Sequence, residues 1–182
     1  PEFMEKVKNQ VVIPTIRGLK RDNIPYNGFL FFGLMKVQGD PYVIEYNCRL
    51  GDPETQIVLP LLETDLLHLM DGLANGLLSE IDVTLSPKAA AAVILASAGY
   101  PGEYQKGKQI TLPAPSTVGE DQQIVHAGTE VHDSGAMTSG GRVLACVGMG
   151  ADVNKAAERA YELADRVSFD GKTHRSDIGT VG

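Results

Sequence analysis

The sequence has few cysteines and no long apolar run, and each shortage argues against a class of protein. Two cysteines, Cys48 and Cys146, cannot build the disulfide framework of a small secreted protein, and no cysteine–histidine group has zinc-site spacing. No apolar run reaches the ~18 residues of a membrane span, and the first residues lack the apolar block of a signal peptide. These shortages favour a reducing, cytoplasmic compartment and no membrane partner.

The composition is that of a globular protein with an uneven distribution of charge. The 182 residues are 43% hydrophobic and 21% charged, which predicts one domain or two small ones. The formal net charge of −7 argues against a nucleic-acid partner. Between residues 39 and 82, nine carboxylates accompany a single cation, Arg49. Such a segment could hold a divalent metal beside an anionic substrate, or could be only a solvated acidic face.

Apolar spacing predicts a helix followed by a hairpin. The helix covers 3–21, and Pro14 should kink or unwind its middle. The chain starts inside this pattern without a cap, which suggests a fragment of a longer protein. The apolar runs 28–37 and 42–48, separated by the glycine- and proline-containing turn 38–41, predict two paired strands. The first run is apolar on both faces, which predicts a central strand covered on both sides.

Two further helices are predicted after the hairpin. Pro53 suits the first position of a helix ending near Leu62, and Asp52 suits its N-cap. A second apolar stripe predicts a helix from Leu66 to Leu78 that is capped by Asp65.

The pattern then changes, and we place a domain boundary between 1–82 and 83–182. The second part has short strands with glycine-rich turns, followed by a helix whose predicted cap is Asp152. This arrangement predicts a mainly antiparallel sheet closed by a C-terminal helix. The predicted strands are 89–97, 109–112, 124–127 and 142–150.

The second strand of the hairpin carries the most informative polar residues. Glu45, Asn47 and Arg49 alternate with apolar residues, so all three should emerge from one face. A carboxylate and an amide carbonyl on one face can bind one magnesium ion, and the arginine can hold a phosphate or carboxylate. This spacing alone is also common in exposed strands. Cys48 lies on the other face and is interpreted as a small core residue.

The context of these residues resembles the phosphoribosylamine–glycine ligase family of the ATP-grasp superfamily. The similarity is carried by NGFLFFGLM followed by VIEYNCRLGDPETQ, and it covers only the C-terminal part of the family's length. Further matches occur in the family's order across the chain: PTIRGL (14–19), IPYNGF (24–29), AGYPGEYQKG (98–107), GRVLACVGMG (141–150) and RSDIG (175–179).

The resemblance implies an α+β fold in which 1–82 form the C-terminal part of the ATP-grasp domain, an antiparallel sheet with helices. Residues 83–182 would form the ligase's small C-terminal α+β domain, mainly antiparallel and closed by a helix. It also implies an enzyme that joins glycine to 5-phosphoribosylamine through a glycyl phosphate. The products are glycinamide ribonucleotide, ADP and phosphate, in de novo purine biosynthesis.

The resemblance also assigns cofactors and site residues. ATP and Mg²⁺ or Mn²⁺ are the implied cofactors, and Glu45 and Asn47 match the residues that hold the metal and its nucleotide. Arg49, the implied catalytic residue, would bind substrate together with Gly51, Asp52 and Glu54. The implied partners are glycine, 5-phosphoribosylamine, ATP and the missing N-terminal part, without which this chain should be inactive.

Two alternatives remain open from the sequence. One is another ATP-grasp carboxylate–amine ligase, such as a purine-pathway carboxylase or a biotin carboxylase relative, although these lack RLGDPETQ combined with AGYPGEYQKG. The other is a binding or scaffolding fragment that has no catalysis of its own.

Overall fold

The structure, a computed structural model, describes residues 2–180, which divide into two compact units. The first unit contains the chain up to Gly51 together with Leu66–Asp82. The second unit contains Asp52–Asp65 and the chain from Val83 onward. Helices and antiparallel strands occur together, as the predicted α+β class requires. The assignment of domains to 1–82 and 83–182 stays a prediction.

The first unit opens with a helical segment that changes its winding before a proline. Helix α1 spans Glu2–Val7, a π-helical turn spans Lys8–Val12, and helix α2 spans Ile13–Arg21. Pro14 lacks an N–H group, and in a regular α-helix its ring would collide with the carbonyl four residues earlier. The wider π-helical turn before Pro14 makes room for the ring. The predicted disturbance of this helix is therefore confirmed.

A two-stranded antiparallel hairpin follows. Strand β1 spans Phe31–Val37 and β2 spans Asp40–Asn47. The turn residues Gln38 and Gly39 both have positive φ, 51° and 89°, which matches the twist of a tight hairpin. Lys6 donates hydrogen bonds to the Gly39 carbonyl at 3.1 Å and to the Asp40 carboxylate at 2.7 Å.

The prediction that β1 is a central strand is wrong for the described residues. Its only partner in the sheet is β2, and none of its seven residues is buried. Met35 is 54% exposed, although it lies in the most apolar run of the unit. The apolar sequence indicates how much of the strand could be buried, whereas among residues 2–180 only β2 pairs with it and its residues are at most half-buried.

The helix expected at 53–62 is shorter, and its cap is wrong. Helix α3 spans Thr55–Val58 and continues as a 3₁₀ turn over Leu59–Leu61. Pro60 has no N–H for an α-helical bond, so the last turn tightens. Glu54, not Asp52, stands at the N-cap position, and its side chain makes no cap bond. The Asp52 carboxylate is bound by Arg142 instead.

Helix α4 also ends earlier than predicted. It spans Leu66–Ala74 rather than reaching Leu78. Gly76, with φ of 73°, leaves helical space, and its N–H donates to the Leu73 carbonyl at 3.3 Å. The Leu77 N–H donates to the Gly72 carbonyl at 2.7 Å, which completes a Schellman cap. A glycine within the apolar stripe therefore ended the helix.

The second unit is built on a four-stranded sheet. Its strand order is β4-β7-β3-β8, with every neighbouring pair antiparallel, which confirms the predicted mainly antiparallel sheet. The strands span Gln122–His126 (β4), Arg142–Gly150 (β7), Ala89–Ser97 (β3) and Lys172–Thr173 (β8).

Other parts of the second unit departed from the sequence pattern. A separate hairpin of β5, Thr129–His132, and β6, Gly135–Thr138, was not predicted. The strand expected at 109–112 forms only isolated bridges, Gln109 to Met137 and Thr111 to Ser168. Short segments of this kind are too brief to show a clear alternation.

Helix α5, Val153–Asp165, closes the sheet as predicted. The Asp152 carboxylate accepts a hydrogen bond of 2.8 Å from the Lys155 N–H, which confirms the predicted cap. At the other end, Lys172 Nζ donates to the Ala164 and Val167 carbonyls at 2.9 and 2.7 Å. The core of the unit forms where the buried side of α5 meets the central strands; its largest fully buried side chains include Val93, Leu95, Val143, Leu144, Val147, Leu163 and Val167.

Two basic side chains of the second unit form ion pairs with the same carboxylate, that of Asp121. Asp121, just before β4, accepts from Lys88 Nζ at 2.5 Å and from Arg159 Nη1 at 2.7 Å. Its backbone carbonyl also accepts from the Met149 N–H at 2.8 Å. The bond from Lys88 is the main cause that lowers the pKa of Asp121 below its ordinary 3.8.

No helix among residues 2–180 is long and apolar enough to cross a membrane.

Candidate functional site

Glu45 and Asn47 meet on one face of β2. Asn47 Nδ2 donates a hydrogen bond of 3.0 Å to Glu45 Oε1, so the two side chains reach a common point. Gly33 lies opposite Glu45 in the strand pairing, and a Cβ there would lie 2.8 Å from Glu45 Cγ. Glycine at this position therefore leaves the space that the glutamate occupies.

The donor set of this pair fits a magnesium or manganese ion. A carboxylate and an amide carbonyl are hard oxygen donors, and rotation of the Asn47 amide would turn its oxygen toward the same point. Residues 2–180 contain no cluster of three or more histidine, cysteine, aspartate or glutamate side chains that could hold a metal. A cation held by these two side chains alone would complete its shell with other oxygen donors, such as phosphate oxygens and water.

Arg49 does not continue the face of Glu45 and Asn47. Strand β2 ends at Asn47, and Cys48 and Arg49 form a bend, so the expected alternation stops there. Arg49 Nη1 donates to the Leu50 carbonyl at 2.8 Å, and its guanidinium makes no ion pair with a described carboxylate. Cys48 is exposed, so its interpretation as a core residue is wrong. Gly51, the next predicted site residue, is buried.

Asp52 and Glu54 belong to the second unit, where Asp52 is held firmly. Arg142 Nη2 donates to Asp52 Oδ2 at 2.7 Å, and Arg142 Nη1 donates to the Asp52 carbonyl at 3.3 Å. Gln56 Nε2 makes a long hydrogen bond of 3.4 Å to Asp52 Oδ1. The carbonyl of Glu54 accepts from the Ile57 and Val58 N–H groups at 3.1 and 3.0 Å.

Sequence reasoning missed Arg142, although a signal was present. Arg142 opens the otherwise apolar strand β7 and lies within the GRVLACVGMG match. A cation at the end of a buried strand needs a partner, but the pattern does not say which of many carboxylates provides it. The structure identifies that partner as Asp52, ninety residues earlier in the chain.

A cleft of about 560 Å³ lies beside the AGYPGEYQKG segment in the second unit. Lys108 Nζ crosses it to Asp170 Oδ2 at 2.8 Å, and this bond lowers the pKa of Asp170. Gly99, with φ of 94°, shapes the segment, because any Cβ there would collide with the Glu103 carbonyl. The cleft is lined by Ser97, Ala98, Glu103, Tyr104, Gln105, Lys108, Asp170 and Gly171.

Two family models match this chain. The model described as phosphoribosylglycinamide synthetase, ATP-grasp (A) domain, matches residues 1–55. The model described as phosphoribosylglycinamide synthetase, C domain, matches residues 90–181.

Curated relatives are similar along nearly the whole chain. Phosphoribosylamine–glycine ligases of Vibrio parahaemolyticus and Chlorobaculum tepidum are 43% and 42% identical to 98% of this chain. A bifunctional purine biosynthetic protein of Schizosaccharomyces pombe is 43% identical over 178 residues, 98% of this chain and 22% of the relative's length. The chain spans 42% of the length of the two bacterial relatives.

A solved structure shares the fold. The phosphoribosylamine–glycine ligase of Thermotoga maritima superposes with a TM-score of 0.83 at 39% identity, over 97% of this chain and 43% of that protein. The C-domain match alone covers half of the chain, and it agrees with the motifs found in the sequence. The chain therefore belongs to the phosphoribosylglycinamide synthetase family, and it contains sequence from that family's ATP-grasp and C domains.

Proposed function

We propose that this chain is the C-terminal part of an ATP-dependent ligase that joins glycine to 5-phosphoribosylamine. Phosphorylation of the glycine carboxylate by ATP gives glycyl phosphate and ADP. The amine of phosphoribosylamine then attacks the acyl carbon, phosphate leaves, and glycinamide ribonucleotide forms. The observation that carries the proposal is the 43% identity to such ligases along 98% of the chain, and the contact between Glu45 and Asn47 agrees with it.

Glu45 and Asn47 are the proposed holders of the metal that accompanies ATP. A bound Mg²⁺ or Mn²⁺ would neutralise phosphate charge and help to align the transferred phosphoryl group. The two side chains supply oxygen donors from one rigid strand face, so they define where the ion and the nucleotide phosphates lie. The 3.0 Å contact between the two side chains supports this role.

Arg49 is the proposed clamp for an anionic group of the substrates. Its planar guanidinium can bind a phosphate or a carboxylate through two parallel hydrogen bonds. Only the Leu50 carbonyl occupies it among the described residues, so donors remain for a ligand. Gly51 and Glu54 are proposed to contact glycine and phosphoribosylamine. Asp52 is the remaining proposed substrate residue, and protein donors already bind both of its carboxylate oxygens.

We also propose that catalysis requires an amino-terminal portion, as the length of the relatives suggests. The first unit exposes many large apolar side chains, which favours burial against further protein. Without the amino-terminal portion, bound phosphates would be exposed to water. The rate enhancement that comes from positioning and electrostatic stabilisation would then be lost. These exposed side chains include Met4, Ile16, Ile24, Met35, Tyr42 and Ile44. The proposed setting is the cytoplasm.

An ADP-release assay tests the proposed function. A full-length protein carrying this chain should release ADP only when glycine and phosphoribosylamine are both present with ATP and Mg²⁺, and each is omitted in turn. ADP release that persists without phosphoribosylamine but needs another amine would indicate a different carboxylate–amine ligase. In parallel, the 182-residue chain should be inactive alone and recover activity on mixing with the amino-terminal portion. Substantial turnover by the chain alone would contradict the two-part site.

A further inference from the structure

Arg142 holds Asp52 at two different atoms, an oxygen of its carboxylate and its backbone carbonyl oxygen. One guanidinium nitrogen binds the carboxylate at 2.7 Å and the other binds the backbone carbonyl at 3.3 Å. Gln56 adds the long contact to the second carboxylate oxygen. We call Arg142, Asp52 and Gln56 the Asp52 clamp. The clamp fixes both the side chain and the backbone of Asp52.

The base of the clamp is rigid because Arg142 starts the central strand β7. Its carbonyl accepts from the Gly128 N–H at 2.8 Å, and the preceding Gly141 carbonyl accepts from the Ser97 N–H at 2.8 Å. Gly141 cannot carry a side chain, because the ring of Tyr100 occupies the position where its Cβ would lie. The arginine thus projects from a backbone that neighbouring strands and loops hold in place.

Stability alone gives a poor account of this arrangement. The side chains of Arg142 and Asp52 are 37% and 55% exposed, and exposed ion pairs contribute only ~0–1 kcal/mol. The larger consequence is geometric. The clamp attaches the start of the Asp52–Pro53–Glu54 stretch to the sheet, and this stretch contains two of the proposed substrate residues.

We propose that Arg142 is a positioning residue of the ligase, which sets the place of Asp52 and, through it, of Glu54. This inference rests on the proposed function. Reacting groups must be held within a fraction of an ångström, and a displacement of ~1 Å can cost about 100-fold in rate. Asp52 then acts as the anchor of the stretch, since protein donors occupy both of its carboxylate oxygens.

Three variants of the full-length protein test the role. Arg142→Met removes the clamp, whereas Arg142→Lys keeps the charge but offers one nitrogen in place of two. Lys155→Met is the control, because it breaks another exposed ion pair of the same unit, with Glu158. For each protein we would measure kcat, the three substrate KM values, the melting temperature, and amide hydrogen exchange of peptides that cover Asp52–Gln56.

We expect Arg142→Met to lower kcat/KM for glycine or phosphoribosylamine about tenfold or more, while KM for ATP changes less than about twofold. Exchange at Asp52–Gln56 should rise, Arg142→Lys should recover part of the loss, and Lys155→Met should match the unmodified protein. A purely structural role would lower the active fraction with all KM values unchanged. The inference would be overturned by that result or by unchanged kinetics in Arg142→Met. It would also be overturned if Arg142→Lys recovered full activity, or if hydrogen exchange at Asp52–Gln56 did not change.

The two proposals fail in distinguishable ways. If the unmodified protein shows no ADP release dependent on glycine and phosphoribosylamine, the proposed function is overturned. If the unmodified protein is active but Arg142→Met is equally active, only the positioning role is overturned.

Discussion

Asn47 and Glu45 are joined by a hydrogen bond of 3.0 Å between two side chains that leave the same face of β2. Neither residue depends on a loop for its place, because the strand pairing sets Glu45 opposite Gly33 and Asn47 opposite Phe31. Two oxygen-bearing groups are therefore preorganised on a paired strand, which is more precise than placement on a loop.

Replacing Glu45 should impair metal-dependent catalysis. Glu45→Gln keeps the shape of the side chain but removes the charge that binds a divalent cation. In the full-length protein we expect turnover to fall at least about 100-fold and the Mg²⁺ concentration for half-maximal rate to rise. Glu130→Gln, which changes an exposed glutamate of β5, serves as the control and should leave both quantities unchanged. Unchanged turnover and metal dependence in Glu45→Gln would contradict the assignment.

Replacing Arg49 by lysine separates geometry from charge. Lysine preserves the only positive charge in the acidic segment 39–82 but loses the planar fork that binds an anion through two bonds. We expect kcat/KM to fall about tenfold or more in steady-state assays of the full-length protein. Arg21→Lys, in a residue that pairs with Asp22 in the first unit, should have no such effect. Full activity in Arg49→Lys would mean that the arginine only neutralises its acidic surroundings.

Removing the Asp121 carboxylate should lower the stability of the fold at neutral pH and have less effect at strongly acid pH. Its pKa is lowered in the folded state, chiefly by the hydrogen bond from Lys88, so the charged form favours folding above the ordinary value of 3.8. This contribution is lost as pH falls through the lowered pKa of the folded state. We expect Asp121→Asn to melt at a lower temperature than the unmodified chain at pH 7.

The pH dependence supplies the check on that prediction. The difference in melting temperature, followed by circular dichroism, should shrink once the pH drops below 3.8. Asp133→Asn, in an exposed aspartate of the β5–β6 turn, is the matched control and should show little difference at any pH. A difference for Asp121→Asn that stays constant down to strongly acid pH would exclude an electrostatic origin.

Two glycine-to-alanine substitutions should change the free energy of unfolding in opposite directions. A Cβ at Gly148, on β7, would lie closer than 3.0 Å to the Ala156 carbonyl oxygen and the Ala160 nitrogen of α5. Gly148→Ala should therefore force the helix from the sheet and cost about 2 kcal/mol or more. Gly18 lies within α2 with no atom near its Cβ position, so Gly18→Ala should gain about 0.5–1 kcal/mol. Urea unfolding measures both, and a neutral Gly148→Ala would contradict the close contact of α5.

The two cysteines should differ sharply in reactivity. Cys48 is exposed, whereas Cys146 is fully buried and its burial raises the pKa of its thiol to about 12. Because the thiolate is the reactive form, an aromatic disulfide reagent at pH 8 should label Cys48 quickly and Cys146 only after unfolding. Cys48→Ser should abolish the fast reaction in the native 182-residue chain. Two fast thiols in the native protein would show that the sheet opens readily.

The parts that could be predicted from the sequence are those whose pattern is long and regular. Strand β7 and helix α5 show sustained apolar spacing, and Asp152 supplies a cap, so both elements and their packing followed from local chemistry. The Glu45–Asn47 pair followed for the same reason, since alternation along a strand fixes which side chains share a face. Its role as a metal site stays a prediction.

The rest depended on contacts between distant residues. Asp52 suited an N-cap by local rules, but a charged partner ninety residues away competed for its carboxylate. Likewise, the apolar run of β1 looked central because the sequence cannot say whether the chain in hand covers both faces. The bend after Asn47 removed Arg49 from the shared strand face, and no alternation signals where a strand stops.

The strand order of the second unit has a consequence for the nascent chain. Strand β3 lies between β7 and β8, and its residue Val93 pairs with Cys146, so its main partner is made about fifty residues later. At ~5–20 residues per second, the apolar segment Ala89–Ser97 leaves the ribosome several seconds before β7 exists to cover it. During that interval it is an unpaired apolar strand of the kind that chaperones bind. Production of this protein should therefore depend on chaperone supply and on growth temperature more than its final stability would suggest.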